Sequence, residues 1–288
     1  MVDSGTTLLE AAQTETAKVV SLKDQDPYQK SSSQQGLSQP HAQTDHSAFN
    51  SNATSYGGWI AGAIVLLWAT SFSLFMRLDI TQFPAWLVAL AALWQTLLYT
   101  GLFITAHDAM HGSVCPQNPK LNQAIGSFCT VSYGLFSYKE LLRKHQLHHR
   151  YPASDRDPDF HDGIHKHPVA WYLYFMGQYW QWQRAFGLAS VFILANLALH
   201  IPVSNLLIFW VLPSLLSSIQ LFYFGTFLTH REPHTGYSTP QRAQSTSLPI
   251  FWSLVTCYHF GYHHEHHEFP HLPWWRLPTA RKVPRLNG

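Results

Sequence analysis

The sequence predicts an all-α integral membrane protein, four transmembrane helices with a helical cap on the cytoplasmic side, and three observations carry that reading. Only 12% of the 288 residues are charged, while 46% are hydrophobic and 15% aromatic; an average soluble domain is about a quarter charged. The uncharged residues gather into runs long enough to cross a bilayer. The basic residues and most of the 19 histidines fall between or after those runs, on one predicted side.

Residues 1–55 are rich in Ser, Gln, Thr and Asp, with runs such as Ser31-Ser32-Ser33-Gln34-Gln35, and hold nine of the 34 charges. They bury too little apolar surface to offset the entropy of ordering. This stretch therefore reads as a disordered polar tail, ahead of one domain over 56–288. It lacks the basic start and early apolar core of a secretory signal. A mean hydropathy of −0.09 averages this polar tail with a far more apolar domain. From Gly57 to Met76 there is no charge, nor from Phe83 to Ala106, nor through the 45 residues from Ala185 to Thr229, which His200-Ile201-Pro202 interrupts. Spanning a bilayer takes about 20 apolar residues per helix, so the spans are expected at 57–76, 83–106, 185–200 and 204–229. Shorter apolar stretches at 124–138 and 168–183 read as helices lying in the membrane interface or dipping into it.

Beyond the tail, 14 of 15 Lys and Arg lie between Lys120 and Arg184 or from Arg231 onward, and Arg77 alone sits between the first two spans. By the positive-inside rule that side is cytoplasmic and holds both termini. A formal charge of +2 argues against a nucleic-acid binder driven by net charge. Cys115, Cys129 and Cys257 have no metal-ligand spacing and read as small apolar fillers.

Seventeen histidines lie between His107 and His271, mostly in three clusters. These are His107-Asp108-Ala109-Met110-His111, His145-Gln146-Leu147-His148-His149, and His263-His264-Glu265-His266-His267. Positions i, i+3 and i+4 share a helix face, so 107/111, 145/148/149 and 263/266/267 should each present imidazoles as a row. Eight imidazoles exceed what one four-coordinate zinc takes. They suit two metals of the kind imidazole prefers: iron, copper, zinc or nickel. The cap is therefore expected to hold a histidine-rich dimetal site on the cytoplasmic side. His230, ending the fourth span, is a ninth candidate ligand. Asp108, Asp155, Asp157, Asp159, Glu265 and Glu268 are near enough in sequence to fix the ligands' outer ring nitrogens, and Asp108, Asp157 and Glu265 are assigned to the catalytic set. His234 and His264 are expected behind the ligands. His41, His46, His161, His165, His167, His200 and His271 are expected to have no part in the site.

These boxes around four spans resemble the membrane fatty acid desaturase and hydroxylase superfamily. Three segments are similar to the bacterial-type β-carotene ketolases: the first box continued by Gly112, Phe224-Gly225-Thr226-Phe227-Leu228 before His230, and His259-Phe260-Gly261-Tyr262 leading into the third box, with Pro273-Trp274-Trp275-Arg276-Leu277-Pro278 behind it. The three-residue gap in the first box differs from the four common in acyl desaturases. The resemblance, over about residues 57–280, implies a non-haem centre of two Fe and molecular oxygen as co-substrate. It also implies conversion of the C4 methylene of a β-ionone ring to a ketone by two hydroxylations and a dehydration. The substrate would be an apolar carotenoid arriving from the bilayer. With no dinucleotide fingerprint, haem motif or iron–sulfur cysteine set, electrons are expected from an outside donor such as reduced ferredoxin. A carotenoid ring hydroxylase or another lipid hydroxylase of the superfamily would carry the same boxes. Outside the class stand a membrane metal transporter, which would place ligands near the bilayer midplane, and a membrane zinc hydrolase.

Overall fold

The computed structural model describes residues 56–282; the tail expected over 1–55 lies outside them. The described residues are all-helical apart from a single isolated bridge between Ser245 and Tyr262. Four helices are long and apolar enough to cross a membrane: α1 (Gly57–Met76), α2 (Ala85–Met110), α6 (Trp182–Leu199) and α7 (Val203–His230). Between and after them come α3 (Pro119–Gly134), α4 (Tyr138–Arg150), α5 (Pro168–Gln178), α8 (Ile250–Cys257) and α9 (His263–Glu268).

The first span falls where the uncharged run places it. The second runs on to Met110, because loss of hydrophobicity at His107-Asp108 does not end a helix whose backbone ladder can continue into protein. This extension puts His107 on a membrane-spanning helix. The third span starts three residues earlier than expected, at Trp182, and ends at Leu199, where His200 takes a left-handed φ of 53° and Ile201 N–H returns to Ala195 O at 3.2 Å. No residue of α6 is buried, as suits a helix with lipid around it.

The α7 helix contains two wide five-residue turns, Leu207–Val211 and Tyr223–Phe227. The first widens the helix at Phe209, where the Pro213 ring would crowd the carbonyl four residues back. The second shifts the phase of the last turn, which carries His230.

The stretch expected at 124–138 is two helices. Asn118 caps α3 by accepting from Leu121 N–H at 3.0 Å, with Pro119 at the first helical position. Leu135, at a φ of 56°, ends α3. Ser137, accepting from Glu140 N–H, starts α4 in a Ser-x-x-Glu arrangement. The 168–183 stretch is likewise divided, α5 stopping at Gln178 before α6 begins. The core lies where the inner ends of α2 and α7 meet α3 and α8, around Tyr99, Leu102, Ile104, Tyr133, Cys257 and Phe260. Cys129 and Cys257 are fully buried, unpaired thiols, matching the filler role. The buried residues of α2 run almost continuously from Gln95 to Ala109, so this helix passes from an exposed outer half into the protein about three turns before His107.

Candidate metal centre

All nine histidines expected as ligands converge, and they form two groups. The first is His107, His111, His145, His149 and His266; the second is His148, His230, His263 and His267. Within each group the candidate ligand nitrogens lie within 4.8 Å of one another.

His107 and His111 act as a row, both joining the first group, but the other two boxes do not. In α4, His145 and His149 join the first group while His148 joins the second; in α9, His263 and His267 join the second while His266 joins the first. Helical geometry explains the crossing. Residues four apart return to nearly the same face, whereas neighbouring residues differ by ~100° at 3.6 residues per turn. The two His-x-x-His-His boxes thus each give an i, i+4 pair to one group and a third imidazole to the other.

Bare nitrogens face each other across both groups. His111 Nε2 is 2.7 Å from His145 Nε2, and His149 Nε2 is 2.9 Å from His266 Nε2. In the second group His267 Nε2 is 3.1 Å from His148 Nε2 and 3.2 Å from His263 Nε2. The buried Nε2 atoms of His107 and His230 have no hydrogen-bond partner. Clustered lone pairs repel unless protons or a cation sit between them. Two nitrogens ~2.1 Å from one ion at right angles lie ~3 Å apart, so these separations suit a shared ion in each group. Burial holds His145, His263, His266 and His267 well below the ordinary imidazole range, with neighbouring imidazoles adding to the effect. They are thereby kept in the neutral form that binds metal.

The carboxylates divide by position. Burial works against charge on His148, but Asp157 and Asp159 overcome it and raise this imidazole to about 9. Asp157 accepts from His148 Nδ1 at 3.0 Å, and Asp159 lies 3.8 Å from that nitrogen. Burial pushes the Asp159 carboxyl up to about 6, and the Tyr179 hydroxyl donates to it. Asp108 lies 3.3 Å from His107 Nδ1 and accepts from Trp274 N–H at 2.9 Å. Glu265 accepts from the Ser245 hydroxyl, whose oxygen in turn accepts from His264 N–H at 3.1 Å; it steadies the start of α9. Asp155 is exposed, and Glu268 stands 3.5 Å from His264 Nε2.

His234 is exposed and His264 lies outside both groups. His161, His165, His167, His200 and His271 are also outside them, while His41 and His46 precede the described residues. Sequence reading missed the Arg242 carbonyl, which accepts from His230 Nδ1 at 3.0 Å. It also missed Phe260, whose ring packs edge-on against His107 and His263 with centroids at 4.7 and 5.0 Å. A main-chain acceptor leaves no trace in residue type; Phe260 stands in a segment singled out for its resemblance alone.

A cavity of about 560 Å³ leads to the histidines. His107, His145, His148 and His263 close its inner end, so it touches both groups. Its walls are largely aromatic and aliphatic, and they include Leu188 and Ile193 of α6 and Leu215 of α7.

The sequence profile of the fatty acid desaturase family matches residues 84–189 and 165–286. A β-carotene ketolase of Paracoccus sp. (strain PC1) is 44% identical over 228 residues, 78% of this chain and 91% of the relative. A β-carotene 4-ketolase 3 of Haematococcus lacustris is 41% identical over 213 residues, 70% of this chain and 64% of the relative. A zeaxanthin 4-ketolase of Chlamydomonas reinhardtii is 37% identical over 240 residues, 78% of this chain and 53% of the relative. The chain thus belongs to the fatty acid desaturase family and, within it, to the β-carotene ketolases.

Proposed function

We propose that this chain is an oxygen-dependent 4-ketolase of β-ionone rings, acting on β-carotene to give echinenone and canthaxanthin. The observation that carries this reading is the apolar cavity ending on imidazoles of both groups. A hydrocarbon substrate needs an apolar, water-poor site, and its C4 hydrogens need a strong oxidant beside them.

His107, His111, His145, His149 and His266 would hold one iron; His148, His230, His263 and His267 would hold the other. Bound there, the pair supplies the redox chemistry that reduces O2 and oxidises an allylic C–H bond. The chain's own residues do the rest. Asp157 and the Arg242 carbonyl fix the tautomers of His148 and His230, leaving Nε2 free for metal. Asp108 does the same for His107, and Glu265 anchors the helix that carries the third box. The cavity walls align the ring over the inner end and exclude water.

Each hydroxylation consumes one O2, two electrons and two protons, and yields the C4 alcohol and one water. Repeating it at the same carbon gives a gem-diol, which loses water to the ketone. The electrons come from an outside carrier, reduced ferredoxin or a similar acidic protein. The distribution of basic residues supports a cytoplasmic position for the metal centre and both termini. The cavity takes lining residues from both α6 and α7, which supports entry of the substrate from the bilayer. Expression in a β-carotene-producing host followed by pigment chromatography tests the reaction. Echinenone and canthaxanthin are expected; zeaxanthin alone would make the protein a ring hydroxylase.

A further inference from the structure

The four-histidine group is backed by two loops that follow different helices, 151–167 after α4 and 231–249 after α7. The first loop presents Asp157, which accepts from His148 Nδ1 at 3.0 Å and is itself held by the N–H groups of Ala153 and Asp159, each at 2.9 Å. The second presents the Arg242 carbonyl, 3.0 Å from His230 Nδ1. Two of the four imidazoles in this group are therefore oriented from different loops, and each loop has to hold its register for its ligand to point inward.

One side chain ties the loops together. Arg242 Nη1 donates to the Ala153 carbonyl at 3.0 Å. Both joined residues are left-handed, Ala153 at a φ of 50° and Arg242 at 45°. Side chains other than glycine hold that conformation only where the surroundings impose it. The guanidinium carbon lies 5.9 Å from the Tyr237 ring centre, and the Tyr237 hydroxyl donates to the His230 carbonyl at 2.6 Å. The five-histidine group takes its support elsewhere, from Asp108 and the Trp274 N–H.

We propose that Arg242 is a positioning residue for the four-histidine group alone: its carbonyl sets His230, and its guanidinium holds the loop whose Asp157 sets His148. The inference rests on the reading that each group holds one metal ion.

Full-length protein, purified in detergent and stripped of metal, is titrated with Co2+ and followed by bound metal per chain and visible absorption. Wild type is expected to take two ions. Arg242→Gly keeps the left-handed backbone free of strain but loses the tether. It is expected to hold one ion as wild type does and the second about 10-fold more weakly. That is the low end of the effect of losing a ligand's partner outright, because Asp157 and the main-chain carbonyl stay in place and lose only the tether between their loops. Arg242→Lys, which can still donate to the Ala153 carbonyl, is expected to restore part of the loss. Lys166→Ala, altering the same polar pocket without touching a ligand's partner, is expected to match wild type. Two equally tight ions in Arg242→Gly would overturn the proposal, as would equal weakening of both. Wild-type protein taking fewer than two ions would overturn the two-metal reading first, and this inference with it.

Discussion

Replacing Gly225 by alanine tests whether the shape of α7 sets the metal centre. A Cβ at this position would lie 2.3 Å from Phe260 Cδ1 and 2.4 Å from Cε1. Ordinary carbon contacts need ~3.5 Å, so the ring has to move by ~1 Å. It cannot retreat freely, because it packs against His107 of one group and His263 of the other. Overpacking of this kind costs ~1–3 kcal/mol of stability, and a ~1 Å displacement at a reacting centre can cost ~100-fold in rate. Gly225→Ala in a β-carotene-producing host, with membrane protein levels matched, is therefore expected to leave roughly 1% of the ketocarotenoid formed by wild type. Gly62→Ala, where nothing lies within 4 Å of the added carbon, is expected to leave conversion unchanged. Wild-type conversion by Gly225→Ala would refute the argument that this glycine makes room for the ring between the two groups.

The same geometry sets further outcomes. His148→Ala and His266→Ala, one from each group, are expected to abolish product while the protein still accumulates in the membrane; full ketolation by either would contradict the ligand assignment. Asp157→Asn removes the charge behind His148 and is expected to weaken iron retention ~10–100-fold against a chelator; unchanged retention would show that the carboxylate does not support the ligand. Ala185→Trp, on the wall formed by α6, is expected to slow conversion severalfold while iron content stays at the wild-type level. Loss of iron in that variant would show that the cavity wall and the metal centre are not separable.

The spans were legible because a bilayer imposes a length on apolar runs, and Gly57–Met76 falls where its flanking charges put it. The end of α2 was not, since His107-Asp108 ends the apolar run but not the helix. The nine imidazoles could be named from spacing together with the agreement between their location and the basic residues. Their division into five and four could not: it depends on how α4 and α9 face each other, so that His148 and His266 cross to opposite groups. Asp157 and Asp108 could be picked as partners by nearness in sequence. Glu265 by the same rule lies against Ser245, because a short helix turns its acidic side chain away from the imidazoles two positions on either side. The Arg242 carbonyl had no signature at all, being backbone. The cavity depends on the packing of α6 beside α7, which hydropathy leaves open.

The most direct test of the account is the metal content of the full-length protein purified under conditions that retain iron. Two irons per chain, falling when either His148 or His266 is replaced, is the predicted result. One zinc per chain and no iron would contradict it.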